Sequence, residues 1–259
     1  MKLWYSTTSP YVRKVLVTLK YQQLLDKTEL IKISSSFDAS SPHNQANPLG
    51  RVPALERNCG NWLYGSLLIC EYLDQKGKVE PKLIPESGKP RWAVLALHNL
   101  ADGIMENTVP MMAEKMLRPE SEWWTARHQQ LIERNRQSFA RLDQDLKPFD
   151  SELNIGTLTA VAVIDWFLFR AEKIGLDLAK EFPNLTAWAA EMNEKYEVNI
   201  AWNGKQGLDF LKQKKYSLIL LDVILPGIDG FSILKKIRKN YTIPVILLTA
   251  KDSQNDKVN

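Results

Sequence analysis

Apolar residues recur along this chain in three successive rhythms, and each change of rhythm marks a change of architecture. The first rhythm mixes short strands with helices. Lys2-Leu3-Trp4-Tyr5 predicts a strand, and Val12, Val15, Leu16 and Leu19 follow at helical spacing. Ser9-Pro10 is a helix-start signal, with a hydroxyl at the N-cap and proline at the first helical position. Leu30-Ile31-Lys32-Ile33 predicts a second strand, followed by a polar loop from Ser34 to Asn47. Val52–Glu56 and Asn61–Tyr64 bracket an Asn58-Cys59-Gly60 turn, the pattern of a hairpin. Ser66 then opens a helix through Leu67, Ile69, Cys70, Tyr72 and Leu73. The order over residues 1–80 is β-α-β, then β-β-α.

Pro81, Pro85 and Pro90 mark a linker over 81–90. From Trp92 to about Tyr196 every long stretch has helical period, over 91–116, 121–146, 157–174 and 184–195. An α/β region, a proline-rich connection and an all-helical region make a two-domain pattern. A third rhythm begins near Tyr196. It predicts a strand at Val198–Ile200, a helix at Gly204–Lys212, a buried strand at Ser217–Val223, a helix at Gly230–Lys239 and a buried strand at Ile243–Leu248. Strands and helices in alternation, with continuous apolar runs in the strands, predict a parallel sheet.

Composition changes this picture little. The 259 residues are 44% hydrophobic and 25% charged, ordinary for a globular protein with a real core. The net charge is +4, and all of the excess lies in residues 197–259, because the first 196 balance. No basic stripe of the nucleic-acid-binding kind is expected. Cys59 and Cys70 make neither a CxxC motif nor a metal spacing, which points to a reduced, cytoplasmic compartment. The charged N-terminus lacks the apolar core of a signal peptide, and no apolar run is long enough to cross a bilayer. No metal and no membrane or nucleic-acid partner is expected.

Four motifs stand in order across about 190 residues: YSTTSPYVRKV at 5–15, NPLGRVPAL at 47–55, GSLLICEYLD at 65–74 and FPNLTAWAAEM at 182–192. Together they resemble the bacterial glutathione S-transferases of the SPxVRK type. The resemblance implies a thioredoxin-like domain over 1–80, an all-helical domain over 91–195, a homodimer, and glutathione as co-substrate. Glutathione reacts as a thiolate, while a free thiol ionises near about pH 8.5. A hydroxyl that donates to sulfur at the positive end of a helix favours the anion. The resemblance places Ser9 in that role, with Thr8 and Ser6 as alternatives in the same loop; Ser9 also reads as a plain N-cap. It implies a cis peptide at Val52-Pro53 beside the cysteinyl part of glutathione. Ser66, at a helix start, suits the γ-glutamyl carboxylate, and Arg51 the other carboxylate. The family usually carries an acidic residue or glutamine just before that serine. Gly65 stands there instead, which removes one contact to the substrate ammonium.

The helical domain supplies the electrophile pocket in this family. Met105 and Met112, with Trp123, would line an adaptable apolar wall, although ordinary core or dimer contact is the more usual place for methionines at helical spacing. The family's Ser/Thr-x-x-Asp capping box is expected at Thr157-Leu158-Thr159-Ala160, where the acid is missing.

The last 63 residues resemble a response-regulator receiver, through LILLDVILPGIDGFSILKKIRK at 218–239 and PVILLTAKD at 244–252. That resemblance makes Asp222 the phosphoacceptor and Thr249 the switch hydroxyl. The acidic pair that binds Mg²⁺ in receivers precedes the phosphoacceptor, but here the preceding residues belong to the transferase-like part. An incomplete flavodoxin-like fragment, without its first strand and helix and its last strand and without phosphotransfer, is expected. The leading expectation is therefore a transferase acting on small electrophiles. The rivals are a non-catalytic glutathione-binding or structural protein, favoured by Gly65, and a receiver-regulated signalling protein.

Overall fold

The computed structural model describes residues 1–6, 9–33, 42–196, 204–216, 219–222 and 229–248, apart from the side chains of residues 171–173, 220, 222 and 246–248. They pack as two compact units. Met1–Val12, Lys27–Gly65 and Tyr196–Asn259 form one; Arg13–Asp26 and Ser66–Lys195 form the other.

The first unit holds a four-stranded sheet in the order β2-β1-β3-β4. Strand β1 (Lys2–Tyr5) runs parallel to β2 (Glu29–Lys32) and antiparallel to β3 (Ala54–Glu56), which pairs antiparallel with β4 (Trp62–Tyr64). Leu3 and Tyr5, alternate positions of β1, are buried on one face, and the consecutive Ala54 and Leu55 are buried on both faces of β3, as in a strand covered on each side. The parallel β1–β2 pair needs a crossover, and α1 (Pro10–Tyr21) supplies it. The expected polar loop is not all loop, because Pro42–Ala46 forms the short helix α2. Helix α3 (Ser66–Lys76) follows β4 directly.

In the second unit α4 spans Gly88–Leu117, longer than its pattern predicts. It takes in Pro90, so the linker ends three residues earlier than expected; proline is tolerated in a first turn, where its missing N–H has no intrahelical partner to lose. Helices α5 (Thr125–Asp145), α6 (Ile155–Ile174), α7 (Leu178–Glu181) and α8 (Pro183–Lys195) complete the unit. The first three turns of α6 are buried all round, the state of a helix at the centre of a bundle. Phe167 on α6 meets Phe139 on α5 edge to face, with ring centroids 4.8 Å apart. Gly156 lets α6 approach α4 closely: a Cβ there would stand 2.8 Å from the carbonyl oxygen of Val94.

The capping box of α6 is present, one turn before its expected place. Asn154 Oδ1 accepts the Thr157 backbone N–H at 3.0 Å, and Thr157 Oγ1 accepts the Asn154 N–H at 3.0 Å. These reciprocal bonds satisfy two helix-end donors without the missing acid. Thr157 is thus the third helical residue rather than the cap.

The C-terminal segment contains α9 (Gly204–Gln213), β5 (Ile219–Asp222), α10 (Gly230–Asn240) and β6 (Val245–Leu248). The two strands pair in parallel, Ile219 opposite Val245 and Asp222 opposite Leu248. Leu211, Leu221, Ile233 and Ile237 form their small core. Asp229 caps α10, its Oδ1 accepting the Ser232 N–H at 3.0 Å. The strand expected at Val198–Ile200 lies outside the described residues.

Candidate functional site

The register of the four-stranded sheet gathers three chain crossings at one end. Trp4 stands opposite Ala54, and Ala54 opposite Tyr64. The residues one step beyond these pairs are therefore Tyr5-Ser6 leaving β1, Val52-Pro53 entering β3 and Gly65 leaving β4. Segments separated by tens of residues in sequence become neighbours because antiparallel pairing fixes who faces whom.

Ser9 caps α1 from this end. Its Oγ accepts the Val12 backbone N–H at 3.3 Å, the bond of an N-cap to the third helical residue. That bond uses an oxygen lone pair and leaves the hydroxyl proton to be donated elsewhere. The first turn of α1 contains no acidic residue, so no carboxylate offsets the positive end of the helix. Ser6 is half-buried in the loop before it, and Thr8 lies outside the described residues. Tyr5, at the end of β1, is buried; burial pushes its phenol pKa up and keeps it protonated.

The Val52-Pro53 peptide is cis. Pro53 is buried, while Val52 is partly exposed and Arg51 exposed. What presents these residues is a loop tied together by Asn47. The Asn47 amide donates to the Arg51 carbonyl at 2.7 Å and lies 3.2 Å from His43 Nε2. Its Oδ1 accepts the Leu49 N–H at 3.0 Å, and Gly50 closes the turn in the left-handed region at φ +58°. His43 is fully buried, its ring 5.7 Å from that of Trp4. Burial lowers the His43 pKa, so a neutral ring fills this place near neutral pH. Sequence reasoning singled out neither His43 nor Asn47; the NPLG run was the visible signal.

Gly65 is exposed at φ +88°, and a Cβ there would meet nothing within 4 Å. A glycine relieves the strain of that backbone. Ser66 is buried as the first residue of α3. Met105 and Met112 lie in the helical core, at 0% and 3% exposure, and so do not form an open surface. Trp123, between α4 and α5, is half-buried; its indole N–H donates to the Arg118 carbonyl, and Lys115 Nζ sits 5.5 Å from its ring. The structure thus separates Trp123 from the two methionines by burial. The side chain of Asp222, at the end of β5, and the whole of Thr249 lie outside the described residues.

Among known families, the model of the glutathione S-transferase N-terminal domain matches residues 8–76. A glutathione transferase family member from Pseudomonas fluorescens Pf-5, solved with bound glutathione, is 33% identical, over 74% of this chain and 93% of that one, with a TM-score of 0.63. This chain belongs to the glutathione transferase family. A glutathione S-transferase from Methylobacillus flagellatus KT, solved with the same peptide bound, is 29% identical over 74% of this chain and 94% of that one, with a TM-score of 0.66. The response-regulator receiver model matches residues 180–259 of this family member. That match begins inside the helical unit, whose last helix, α8, packs on α6.

The second unit carries polar groups that the sequence did not reveal. Lys14 is fully buried, with Nζ 3.0 Å from His98 Nε2 and ion-paired to Asp102. Thr18 Oγ1 donates to Cys70 Sγ at 3.4 Å, and burial pushes that thiol up to about 11. Gln22 donates to Asp74 Oδ1 at 2.7 Å, and Asp74 Oδ2 accepts the Ile84 N–H at 2.9 Å. Cys59, by contrast, is exposed, and a hydrogen bond from the Asn61 backbone holds its thiol below the usual range. Among the described residues no group of three or more His, Cys, Asp or Glu could hold a metal ion, and no helix is long and apolar enough to cross a membrane.

Proposed function

We propose that this protein binds glutathione and transfers it to small electrophiles, with Ser9 donating a hydrogen bond that holds the thiol ionised. The observation that carries this reading is Ser9 at the head of α1, with its oxygen engaged by the Val12 N–H. A hydroxyl polarised in this way is a better donor, and the positive end of the helix favours a negative sulfur. The relatives solved with glutathione or S-(propanoic acid)-glutathione bound support the choice of peptide. In the reaction the thiolate sulfur forms a bond to an electrophilic carbon, the leaving group departs with its bonding pair, and the thiol proton has already passed to solvent.

In this reading Val52, Pro53 and Arg51 border the peptide, and Gly65 with Ser66 faces its γ-glutamyl end. Gly65 supplies no side chain, so the peptide is held weakly there. Of the acceptor-side candidates, half-buried Trp123 is kept, while Met105 and Met112 are core residues. The protein works as a cytoplasmic homodimer, and its domains are a glutathione-binding domain over 1–80, a helical domain to 195, and a receiver-like remnant from 196 that carries no phosphotransfer.

Titrating bound glutathione by thiolate absorbance tests the central step. The wild type should ionise below the free-thiol value of about 8.5, and Ser9→Ala should return it toward that value. Thr8→Ala and Ser6→Ala should titrate as wild type. A wild-type curve from all three variants removes serine or threonine activation from the mechanism.

A further inference from the structure

Asp165 is a carboxylate placed where a carboxylate is expensive. It sits in the buried part of α6 at 4% exposure, the one charged residue in a stretch of apolar residues and two threonines. Two side chains from two other helices reach it. Arg13 Nη2, on α1, donates to Oδ2 at 2.7 Å, and the Asn193 amide, in the last turn of α8, donates to Oδ1 at 3.2 Å and Oδ2 at 3.1 Å. Burial raises the Asp165 pKa, with the Arg13 charge opposing it. A buried ion pair of this kind contributes little net stability, since desolvation offsets the Coulomb attraction. Its value is geometric.

Arg13 stands four residues after Ser9, one turn further along the same helix. Holding its guanidinium fixes the rotation of α1 about its axis at the turn that Ser9 caps. Asn193 holds the other side of the same carboxylate, two residues before the helical unit ends at Lys195.

We propose that Asp165 is a positioning residue for thiol activation: through Arg13 it sets the orientation of the Ser9 hydroxyl, and through Asn193 it ties that orientation to the end of α8. This rests on the reading of Ser9 given above. A displaced hydroxyl loses its hydrogen bond to sulfur before it loses its place in the helix, so ionisation is more sensitive than folding to the loss of this link.

The test is the thiolate titration of bound glutathione in the full chain, for wild type, Ser9→Ala, Asp165→Asn and Arg13→Lys, with the glutathione dissociation constant and thermal midpoint measured for each. Asp165→Asn is expected to lower the thiolate fraction at neutral pH about threefold or more. Affinity should fall only by the few-fold that the lost ionisation itself entails, and the thermal midpoint should drop, since the amide leaves the Arg13 guanidinium without its carboxylate. Arg13→Lys should move the titration in the same direction and serves alone if Asp165→Asn does not fold. Wild-type ionisation in Asp165→Asn and Arg13→Lys, beside a shifted Ser9→Ala, overturns the positioning role while leaving Ser9 in place. An unshifted Ser9→Ala overturns the reading of Ser9, and this inference with it.

Discussion

Lys14 Nζ lies 3.0 Å from His98 Nε2 in the interior of the helical unit. An ammonium only donates, so Nε2 must accept, and the ring proton belongs on Nδ1. Burial first, and the Lys14 charge second, hold His98 far below its ordinary value, at about 4.

The consequence for stability has a definite sign. Between about 6.5 and about 4 the unfolded chain binds a proton at this histidine that the folded chain refuses. Stability from His98 is therefore complete above about pH 6.5 and falls as the pH drops toward 4, by about 3 kcal/mol in all. His98→Gln keeps an acceptor for Lys14 but has no proton to take up. Urea midpoints measured at about pH 7 and about pH 4.5 should fall less in the variant than in wild type. Equal losses would mean that His98 does not carry this acid sensitivity.

Gly65 offers a gain-of-function test. The space beside it is open, so Gly65→Glu can place a carboxylate within reach of the substrate ammonium. A hydrogen bond to a charged group contributes about 1.5–3 kcal/mol. The left-handed backbone at φ +88° makes any Cβ there cost about 1–2 kcal/mol of stability. Calorimetry should show glutathione bound about tenfold more tightly, beside a lowered thermal midpoint. Unchanged affinity would place the ammonium elsewhere.

Close helix contact at Gly156 leads to the opposite kind of variant. The Cβ of Gly156→Ala would stand 2.8 Å from the Val94 carbonyl oxygen and 3.0 Å from Leu97 Cβ. Neither backbone nor a side chain's first carbon can swing aside, so α4 and α6 must separate. Chemical denaturation should show a loss of about 1–3 kcal/mol, despite alanine's better helix propensity. A stabilised variant would show that the pair relaxes freely.

Asp222 should take no phosphoryl group. In the reading proposed above, the residues before β5 belong to the transferase-like part and bring no acidic pair to hold Mg²⁺ beside it, and phosphoryl transfer depends on that neutralisation. Intact-mass measurement after incubation with acetyl phosphate and Mg²⁺ should give the unmodified chain. A phosphoryl adduct mapped to Asp222 would restore a signalling role to the C-terminal segment.

The legible parts of this molecule were those where pattern and environment agree. Val12, Val15 and Leu19 are buried as their spacing indicates, and the long helices stand where their period places them, within a few residues. Ser9-Pro10 announced α1, because capping chemistry is local. The capping box at Asn154 was hidden by a family pattern that drew attention to Thr157. Helix α2 was hidden because five polar-rich residues make no period; it is held by His43 and Asn47, not by an apolar face. Lys14 and Thr18 on α1, and Gln22 just past its end, recur every four residues as a solvent-facing stripe would. All three are buried, at 0%, 0% and 2%, because each meets a polar partner from another helix. Partners distant in sequence leave no trace in a local window.

That hidden stripe makes α1 a key with one orientation. Turning the helix by a single residue, about 100°, would carry Lys14, Thr18 and Gln22 away from their three locks. Each orphaned group would then forfeit about 1–3 kcal/mol, more for the ammonium. A greasy stripe tolerates such slippage, but a polar one does not. Whatever the tip of this helix does, it does from a single angle.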